Sequence, residues 1–567
     1  MTRRTLACAA IACAASTLFG ACGKSSDKKK KPDAKPAPKV STTTFSPSVT
    51  ANGKPVAARV LLIDSGGEPL HMGNLDVYGK RQGGAACVLD PDVIGSYDGI
   101  ILGRGVGAIP VGVDTCVPSP AIPYGRYRVW AWRGIEYELW EGEVDLSANR
   151  GRVELPIALE RAWTPTGTVA ADLHVHAHAS LDSLVPNPQR VIAQVAAGIQ
   201  VIALSDHNTN GDLDKEITQL GFDDIVASIA SNEMSSDYFH FGVYPVVVEK
   251  DKPHGGAVGD DVMRYAGLGA MFIMMKRLPG DPIIQVNHPR FRSVALFDNT
   301  AWDGVSWPPP FPLTFDAVEV LSGYTAFNVP GDRRFDDSVR DFFTLTDHGV
   351  LVAPLGNSDT HDLNWVLDGT SRNYIYMPED KLELKTFDEA AFIESIRKRR
   401  VVATTGPWIS VTAASSESAK STVGPGATVR PRDGAVWLDI TLAQTRFVKT
   451  ERIRVTIGTD NGPKLVEQID VPAGVRTHHW AGRIPIGKLD TWIVVTADGD
   501  TALPLAITGS YQKDRWDRPG VTPYAIAAPI LVDANRDGTW ERKGPLHPPP
   551  PPAPPAGVGS GSGSAAK

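Results

Sequence analysis

Seven short apolar runs alternate with helix-like segments between residues 168 and 361, and this alternation constrains the fold more than any other feature of the chain. In chain order the runs are TVAADLHVH, IQVIALSDH, DIVASIASNE, FHFGVYPVVV, DPIIQVNHP, FDAVEVLSG and LVAPLGNSDTH. Segments such as PQRVIAQVAAG, DDVMRYAGLGAMFIMMKRL and DDSVRDFFTLT separate most of them, although the third and fourth runs are nearly adjacent. Alternating strands and helices predict a parallel sheet, closed or open, in residues 165–405.

Histidine and carboxylate side chains stand near one end of six of these seven predicted strands. At the carboxyl ends of five runs they are His174, His176, Asp206, His207, Glu233, His288, Asp359 and His361. The fourth run instead carries His240 at its start, within reach of Glu233 across a short turn. One such residue has an ordinary explanation as a cap or a satisfied polar group, but the repetition does not. Because imidazole and carboxylate together suit Zn, Mn or Fe, we predict a multinuclear metal site at this end of the strands.

The first run also contains a third histidine, in the sequence DLHVHAHASLDS from Asp172 to Ser183. Side chains alternate between the two faces of a strand, so a strand through His174, His176 and His178 points all three imidazoles to one side. A solvated polar strand face is the ordinary alternative to a metal site. The motifs that follow along the chain favour the metal site.

The order of these motifs resembles that of the PHP (polymerase and histidinol phosphatase) family. The shared order is His-x-His, Asp-His, Glu, two single His and Asp-x-His, and it covers about residues 165–405. The segments SDHN, NSDTH and VVATTGPWI are similar to counterparts in the CehA/McbA branch of carbaryl-hydrolase-type metallohydrolases. The resemblance implies a distorted TIM-like barrel of seven βα units, flanked here by the terminal regions described below.

The resemblance also implies two or three divalent transition metals and a ligand set for each. The implied ligands of the first metal are His174, His176, Glu233 and Asp359. In the second site Glu233 bridges to a metal that is held by His240 and His288. The third site draws on Asp182, His207 and His361, and Asp182 stands where many members of the family have His.

Four further residues keep alternative roles. His178 has no place in the family pattern, so it contacts the substrate or only continues the strand. Asp206 is expected to orient His207 or a neighbour, as carboxylates behind a ligand do. Arg290 holds a substrate anion or forms a surface salt bridge, and Glu319 has no role in the pattern.

The function implied by the resemblance is metal-dependent hydrolysis. Two metals bridged by Glu233 lower the pKa of a shared water toward about 7, and the resulting hydroxide attacks a phosphoester or a carboxylic or carbamate ester. One alternative is a urease-type amidohydrolase acting on C–N bonds, a class that typically bridges its metals with a modified Lys; no Lys ends a middle run here. The other alternative is a catalytically inactive, surface-anchored binding protein.

Short strands broken by Gly and Pro predict a β-sandwich on each side of the barrel, in residues 49–160 and 407–543. Examples are GRYRVWAWRGIEYELWEGEV in the first region and AVWLDITLAQT and LDTWIVVTADG in the second. The first region contains Cys87 and Cys116. Because an exported compartment favours disulfides, we expect these two cysteines to pair.

Residues 1–22 have the features of an export signal, with Arg3-Arg4 followed by an apolar run from Leu6 to Phe19. The signal ends in LFGAC, which resembles a bacterial lipobox and implies a lipid on Cys22. Residues 23–48 form a Lys/Pro/Ser linker, and residues 544–567 a Pro/Gly/Ser-rich tail that is predicted to be disordered. The expected location is the cell envelope, with membrane contact only through the lipid. With 57 Lys+Arg against 64 Asp+Glu, the chain has no overall charge footprint for nucleic acid.

Overall fold

The computed structural model describes residues 43–67, 87–89, 94–95, 101–102, 121–147, 151–304, 307, 313–323, 333–363, 366–508 and 520–542. The predicted export signal, the lipid on Cys22, the linker and the terminal tail lie outside these residues. The Cys87–Cys116 disulfide also lies outside them, because Cys116 is not described. Within the described part of the chain, none of the helices has the length and apolar character needed to span a membrane.

The N-terminal region is built from short strands that form two main sheets around one core. The strands are β1 Thr44–Ala51, β2 Lys54–Pro55, β3 Arg59–Ile63, β4 Cys87–Leu89, β5 Ile94–Gly95, β6 Ile101–Leu102, β7 Ala121–Ile122, β8 Arg126–Trp132, β9 Trp140–Asp145 and β10 Arg152–Leu159. One sheet has the order β10-β1-β4-β7 and the other the order β3-β8-β9. Phe45 and Val49 of the first sheet share a core with Val60 and Val129 of the second. Two sheets on one core is the packing that a sandwich requires.

All seven apolar runs of the middle region contain strands. They are β11 Thr168–Val175, β12 Val201–Leu204, β13 Ala227–Ala230, β14 Asn232–Ser235, β15 His240–Tyr244, β16 Ile283–Val286, β17 Ala317–Ser322 and β18 Ala353–Asn357. The third run contributes two strands, β13 and β14, which Ser231 separates. Every residue of β11, β12, β16, β17 and β18 is buried, as expected for strands that are covered on both faces.

The direction of β15 contradicts the prediction of a wholly parallel sheet. Strands β11, β12 and β13 are parallel, and so are β16, β17 and β18, but β15 runs antiparallel to both β14 and β16. The chain reverses in the short turn between Ser235 and His240, and such a turn can join only antiparallel neighbours. Single parallel bridges, Val175 to Thr360 and His207 to Glu233, join the ends of these two sets of strands. Because they are single pairs and not ladders, the closed seven-stranded barrel stays a prediction.

Helices connect and cover these strands. They are α1 Asn187–Ala196, α2 Asp214–Leu220, α3 Asp260–Met263, α4 Leu268–Lys276, α5 Leu296–Asn299, α6 Arg333–Asp347, α7 Glu389–Arg397 and α8 Leu505–Thr508. The helix-like segment DDVMRYAGLGAMFIMMKRL contains two helices, α3 and α4. They are separate because the backbone of Gly267 is extended. Helix α1 buries Val191, Ile192 and Val195 against Ile202 and Leu204 of β12, which fixes the segment that follows the first histidines.

Eight of the C-terminal strands extend the middle sheet, and three others form a second sheet. They are β19 Arg372–Tyr376, β20 Val401–Thr404, β21 Trp408–Ala414, β22 Thr428–Val429, β23 Ala435–Ala443, β24 Arg452–Thr459, β25 Gly462–Asp470, β26 Thr477–Pro485, β27 Thr491–Asp498, β28 Tyr524–Ala527 and β29 Ile530–Val532. One eleven-stranded sheet contains the path β13-β12-β11-β19-β20-β28-β27-β24-β25. A second sheet, β21-β23-β26, shares a core with it through residues such as Val411, Ile440, Val455 and Val495. The eleven-stranded sheet crosses the predicted boundary between residues 405 and 407. The flanking sandwiches stay predictions.

Candidate metal centre

The structure brings all nine predicted ligands together around the carboxylate of Glu233. They form four overlapping groups, and within each group the donor atoms lie within 4.8 Å of one another. The nine residues are His174, His176, Asp182, His207, Glu233, His240, His288, Asp359 and His361. They are separated in the sequence but meet where the strands of the middle region end. Their role as ligands stays a prediction, and the geometry below describes what the donor set can do.

The strand ends explain how these side chains meet. The backbone N–H of Asp359 donates to the carbonyl of His174, which holds the end of β18 beside the end of β11. The bridge between His207 and Glu233 does the same for the segments that follow β12 and β13. Because β15 is antiparallel to β14, the start of β15 lies beside the end of β14, with His240 opposite Ser235. The reversed strand therefore brings His240 to the same end as the other donors.

Glu233 is the centre of the arrangement, and its side chain is only 1% exposed. Its Oε1 atom lies 3.1 Å from His174 Nε2 and 3.3 Å from both His240 Nδ1 and His288 Nε2. Its Oε2 atom lies 2.8 Å from His207 Nδ1 and 3.6 Å from His176 Nε2. Both oxygens of one carboxylate thus face imidazoles from different strands, which is the arrangement of a carboxylate that can bridge two ions.

We call His174, His288 and Asp359 the inner group. Asp359 Oδ1 lies 3.1 Å from His174 Nε2 and 3.3 Å from His176 Nε2, and these two Nε2 atoms are 3.1 Å apart. Two donors that are each about 2.1 Å from a tetrahedral zinc ion lie about 3.4 Å apart. The donor spacing is therefore close to that of ligands of one ion.

We call Asp182, His207 and His361 the outer group. Asp182 Oδ2 lies 3.2 Å from His207 Nε2 and 3.1 Å from His361 Nε2. The Asp182 side chain is 50% exposed, and the two imidazoles are 14% exposed. His176 lies between the two groups, since its ring stacks on that of His361 with centroids 4.0 Å apart. The outer group therefore opens to solvent, whereas the inner group does not.

The balance between burial and nearby charge divides the histidines of the metal-free chain. Burial lowers the pKa of His240 to about 4, and burial with neighbouring imidazoles lowers the pKa of His176 well below its usual value. Burial also opposes the charge on His174 and His207, but carboxylates outweigh it. They raise the pKa of His174 well above its usual value and that of His207 to about 10. At neutral pH the centre thus combines neutral imidazoles with imidazolium ions that must lose a proton to bind a metal.

Two of the predicted ligands have a left-handed backbone, which is uncommon for residues other than glycine. The φ angle is 28° at His288 and 52° at Asp359. This conformation costs roughly 1–2 kcal/mol for an L-residue. The cost is offset by specific hydrogen bonds: His288 N donates to Glu319 Oε2 at 2.7 Å, and Asp359 N donates to the carbonyl of His174 at 2.9 Å. Strained residues that are held in this way occur preferentially at functional sites.

Three supporting residues were not assigned a role from the sequence. Glu319, in β17, lies 3.1 Å from His174 Nδ1, and Asn287 donates to Glu233 Oε1 at 2.7 Å. Arg190, on α1, donates from Nε to the carbonyl of His176 at 2.9 Å. One sequence signal was available for Glu319, which is the one charged residue within the apolar segment AVEVLS, residues 317–322. The partners of Asn287 and Arg190 depend on distant segments and have no such signal.

The structure narrows the alternative roles of three predicted site residues. Strand β11 ends at Val175, so His178 does not continue the strand; it is exposed in a turn and outside the four donor groups. Asp206 accepts a hydrogen bond from Ala177 N at 2.7 Å, so it orients the segment after His176 and not the His207 ring. Burial raises the pKa of this carboxyl to about 6.

Arg290 is 9% exposed and forms salt bridges with the buried Asp341 and the partly exposed Asp298. Its Nε and Nη2 atoms donate to the two oxygens of Asp341 at 2.6 and 2.9 Å, and its Nη1 atom donates to Asp298 at 3.0 Å. The guanidinium is therefore already engaged by two carboxylates of this chain. Three of its five N–H donors are used in these bonds, so the positive charge of Arg290 is already paired within the chain.

Comparison with known proteins adds no identification, because no protein-family model and no curated protein sequence matches this chain.

Proposed function

We propose that this chain is a metal-dependent hydrolase of the PHP type, with its centre in a distorted barrel formed by the middle strands. The observation that carries the proposal is the surrounding of Glu233. Its two carboxylate oxygens face five imidazoles, which belong to His174, His176, His207, His240 and His288. A buried carboxylate among so many histidines is typical of a site that holds more than one divalent ion.

Zinc, manganese or iron fits this donor set, which contains imidazole nitrogens and carboxylate oxygens and no described cysteine. One ion would be held by His174, His176 and Asp359 together with Glu233. His240 and His288 would hold a second ion across Glu233. The outer group would hold a third. When bound, such ions supply Lewis acidity and water that ionises near neutral pH.

The residues of the chain contribute position and charge to this chemistry. The inner group is buried, which excludes bulk water and strengthens electrostatic interactions there. The half-exposed Asp182 marks the side from which a substrate can approach. Asp206 holds the backbone at Ala177, directly before the turn that contains His178. Arg290 has no part in the proposal, because Asp341 and Asp298 occupy its guanidinium.

The proposed substrates are small-molecule phosphoesters or carboxylic or carbamate esters. The geometry does not support the class of enzyme that bridges its metals through a modified lysine. The residue whose oxygens face the five imidazoles is Glu233, a carboxylate. Among the described residues, lysines form ion pairs only with Glu249, Asp388 and Glu394, all outside the centre.

The test is a hydrolysis panel on protein loaded separately with zinc, manganese and iron. The panel contains phosphomonoesters, phosphodiesters, carboxylic esters and carbamates, with amides as the comparison for C–N bonds. Metal content is measured on the same samples by elemental analysis. We expect bound metal together with turnover of one ester class.

Each other outcome contradicts the proposal in a recognisable way. Bound metal without turnover of any ester indicates a binding protein. Turnover of amides alone indicates amidohydrolase chemistry. A chain that binds none of the three metals contradicts the proposed centre itself.

We further propose that the chain is lipid-anchored in the cell envelope, a proposal that rests on the sequence of residues 1–48 alone. A Cys22→Ser variant is expected to leave the membrane fraction. Equal fractionation of the variant and the wild type contradicts the anchor without affecting the proposed hydrolase.

A further inference from the structure

Glu319 is a buried carboxylate behind the metal centre, opposite Glu233. It lies in β17, between β16 and β18, and is 1% exposed. Its Oε1 atom is 3.1 Å from His174 Nδ1, and its Oε2 atom accepts the backbone N–H of His288 at 2.7 Å. One side chain therefore contacts both a ligand proposed for the first metal and a ligand proposed for the second.

The contact with His174 determines which ring nitrogen is free to bind a metal. An ionised carboxylate can only accept hydrogen bonds, so the proton of the imidazole is held on Nδ1. The Nε2 atom then presents its lone pair on the opposite side of the ring, where Glu233 Oε1 and Asp359 Oδ1 each lie 3.1 Å away. A carboxylate behind a histidine ligand fixes the tautomer and the orientation of the ring in this way.

The contact with His288 stabilises a left-handed backbone conformation that residues other than glycine rarely adopt. His288 has a φ angle of 28°, and its N–H points at Glu319 Oε2. Its side chain extends to the other side, where Nε2 lies 3.3 Å from Glu233 Oε1. Without an acceptor for this N–H, the left-handed conformation loses the hydrogen bond that offsets its cost.

A hydrogen-bonded amide fixes the position of Glu319 itself. Asn357 Nδ2 donates to Glu319 Oε1 at 3.0 Å, and Asn357 Oδ1 accepts from Leu173 N at 3.0 Å and Asn373 Nδ2 at 2.8 Å. These bonds connect the carboxylate to β11, β18 and β19. Glu319 is therefore a rigid acceptor, which a positioning role requires.

We propose that Glu319 is a positioning residue. Its single carboxylate holds both His174, a proposed ligand of the first metal, and His288, a proposed ligand of the second. The inference rests on the metal centre proposed above. It predicts that loss of the Glu319 charge weakens metal binding at the inner group and leaves the outer group, which Glu319 does not contact, close to its wild-type affinity.

The test compares Glu319→Gln and Glu319→Asp with the wild type. A glutamine has the same shape but only one acceptor oxygen, and its NH2 group lets His174 carry its proton on Nε2. Glutamine is expected to weaken inner-group binding by about 10–100-fold, the range typical of residues behind a ligand. Aspartate keeps the charge but is shorter, so partial recovery is expected.

Metal affinity is measured by chelator competition with Zn²⁺ and Co²⁺, and the absorption spectrum of Co²⁺ reports the ligand geometry without any substrate. The matched control is Asp533→Asn. Asp533 is also a buried carboxylate that accepts from a backbone N–H and a side chain, Gly538 N and Arg430 Nε, but it lies beyond β29 in the C-terminal region. The control is expected to lose stability and keep wild-type metal affinity.

Wild-type affinity in Glu319→Gln overturns the inference, and so does a loss of affinity no larger than that of Asp533→Asn. If Glu319→Gln weakens metal binding equally at the inner and outer groups, the selective effect on the inner group is overturned. A wild-type chain that binds metal but hydrolyses no ester contradicts the proposed function while the affinity comparison still decides on Glu319. A wild-type chain that binds no metal contradicts both.

Discussion

The inner group lies in or directly after strands β11, β16 and β18, whereas the outer group lies on the turns farther beyond β11, β12 and β18. The inner side chains are almost fully buried, and Asp182 of the outer group is half exposed. Both groups combine imidazole with carboxylate, so the chemistry of the donors does not distinguish them. The comparison shows that donors in or near a strand are buried, whereas a donor farther from the strand end is exposed to solvent. Only the exposed side is accessible to a substrate.

The largest effect is expected from Glu233→Gln, because Glu233 contacts both groups. The substitution keeps the shape of the side chain but removes the charge that faces five imidazoles. Metal content and hydrolysis are expected to fall nearly to zero, since neither group then has its shared ligand. Elemental analysis and steady-state kinetics check both quantities. A variant with full metal content and activity rules out a bridging Glu233.

A paired substitution separates the two groups. Asp182→Ala removes the only carboxylate of the outer group, and Asp359→Ala removes that of the inner group. We expect Asp182→Ala to lose the outer ion and retain the inner ions, with a partial fall in kcat. Asp359→Ala is expected to lose inner ions and nearly all activity, because it also leaves buried His174 without one of its carboxylates. Metal stoichiometry is the measurement, and equal losses in both variants contradict the division.

The pH dependence of metal binding sharpens the same comparison. In the metal-free chain His207 has a pKa of about 10, so near neutral pH it is protonated and a metal must displace that proton. Affinity at the outer group is therefore expected to rise with pH, by about tenfold per unit for each proton displaced. His240, with a pKa of about 4, is neutral and adds no such dependence. Calorimetry in buffers of different ionisation heat measures the protons released, and binding without proton release contradicts the assignment.

The smallest effect on metal binding is expected from His178→Ala. His178 is exposed in a turn and belongs to neither group, so the variant is expected to keep the metal content and thermal stability of the wild type. A fall in kcat/KM at unchanged metal content indicates that this imidazole contacts the substrate. Loss of metal from this variant means that the centre extends beyond the nine residues.

Most strands of the middle region were predictable because they are apolar runs, and five of them are buried on both faces. Short runs such as VIAL in β12 and IIQV in β16 consist mostly of residues that favour strands, and both are fully buried. The direction of β15 was not predictable in this way, because hydropathy carries no information on strand direction. The short turn before His240 decides it, and the same turn explains why His240 stands at the start of its strand.

The nine residues that meet at the candidate centre were predictable, because histidine and carboxylate side chains recur near the same end of successive strands. The supporting residues were not, since their roles arise between segments that are far apart in sequence. Glu319 and His174 are 145 positions apart, and Arg190 meets Thr360 at a separation of 170. The surroundings of His178 and Arg290 were not predictable for the same reason, because a strand end and a buried ion pair are properties of packing.

The sequence alone therefore determined the composition of this protein's candidate centre, because residue type and spacing along the chain set which donors reach the ends of the strands. Only the tertiary structure decided which donors are buried, which carboxylate faces which imidazole, and which side is open. The physical reason is that burial and hydrogen-bond direction depend on neighbouring strands. Strand β17 places Glu319 behind His174 and His288 only because it pairs with β16 and β18.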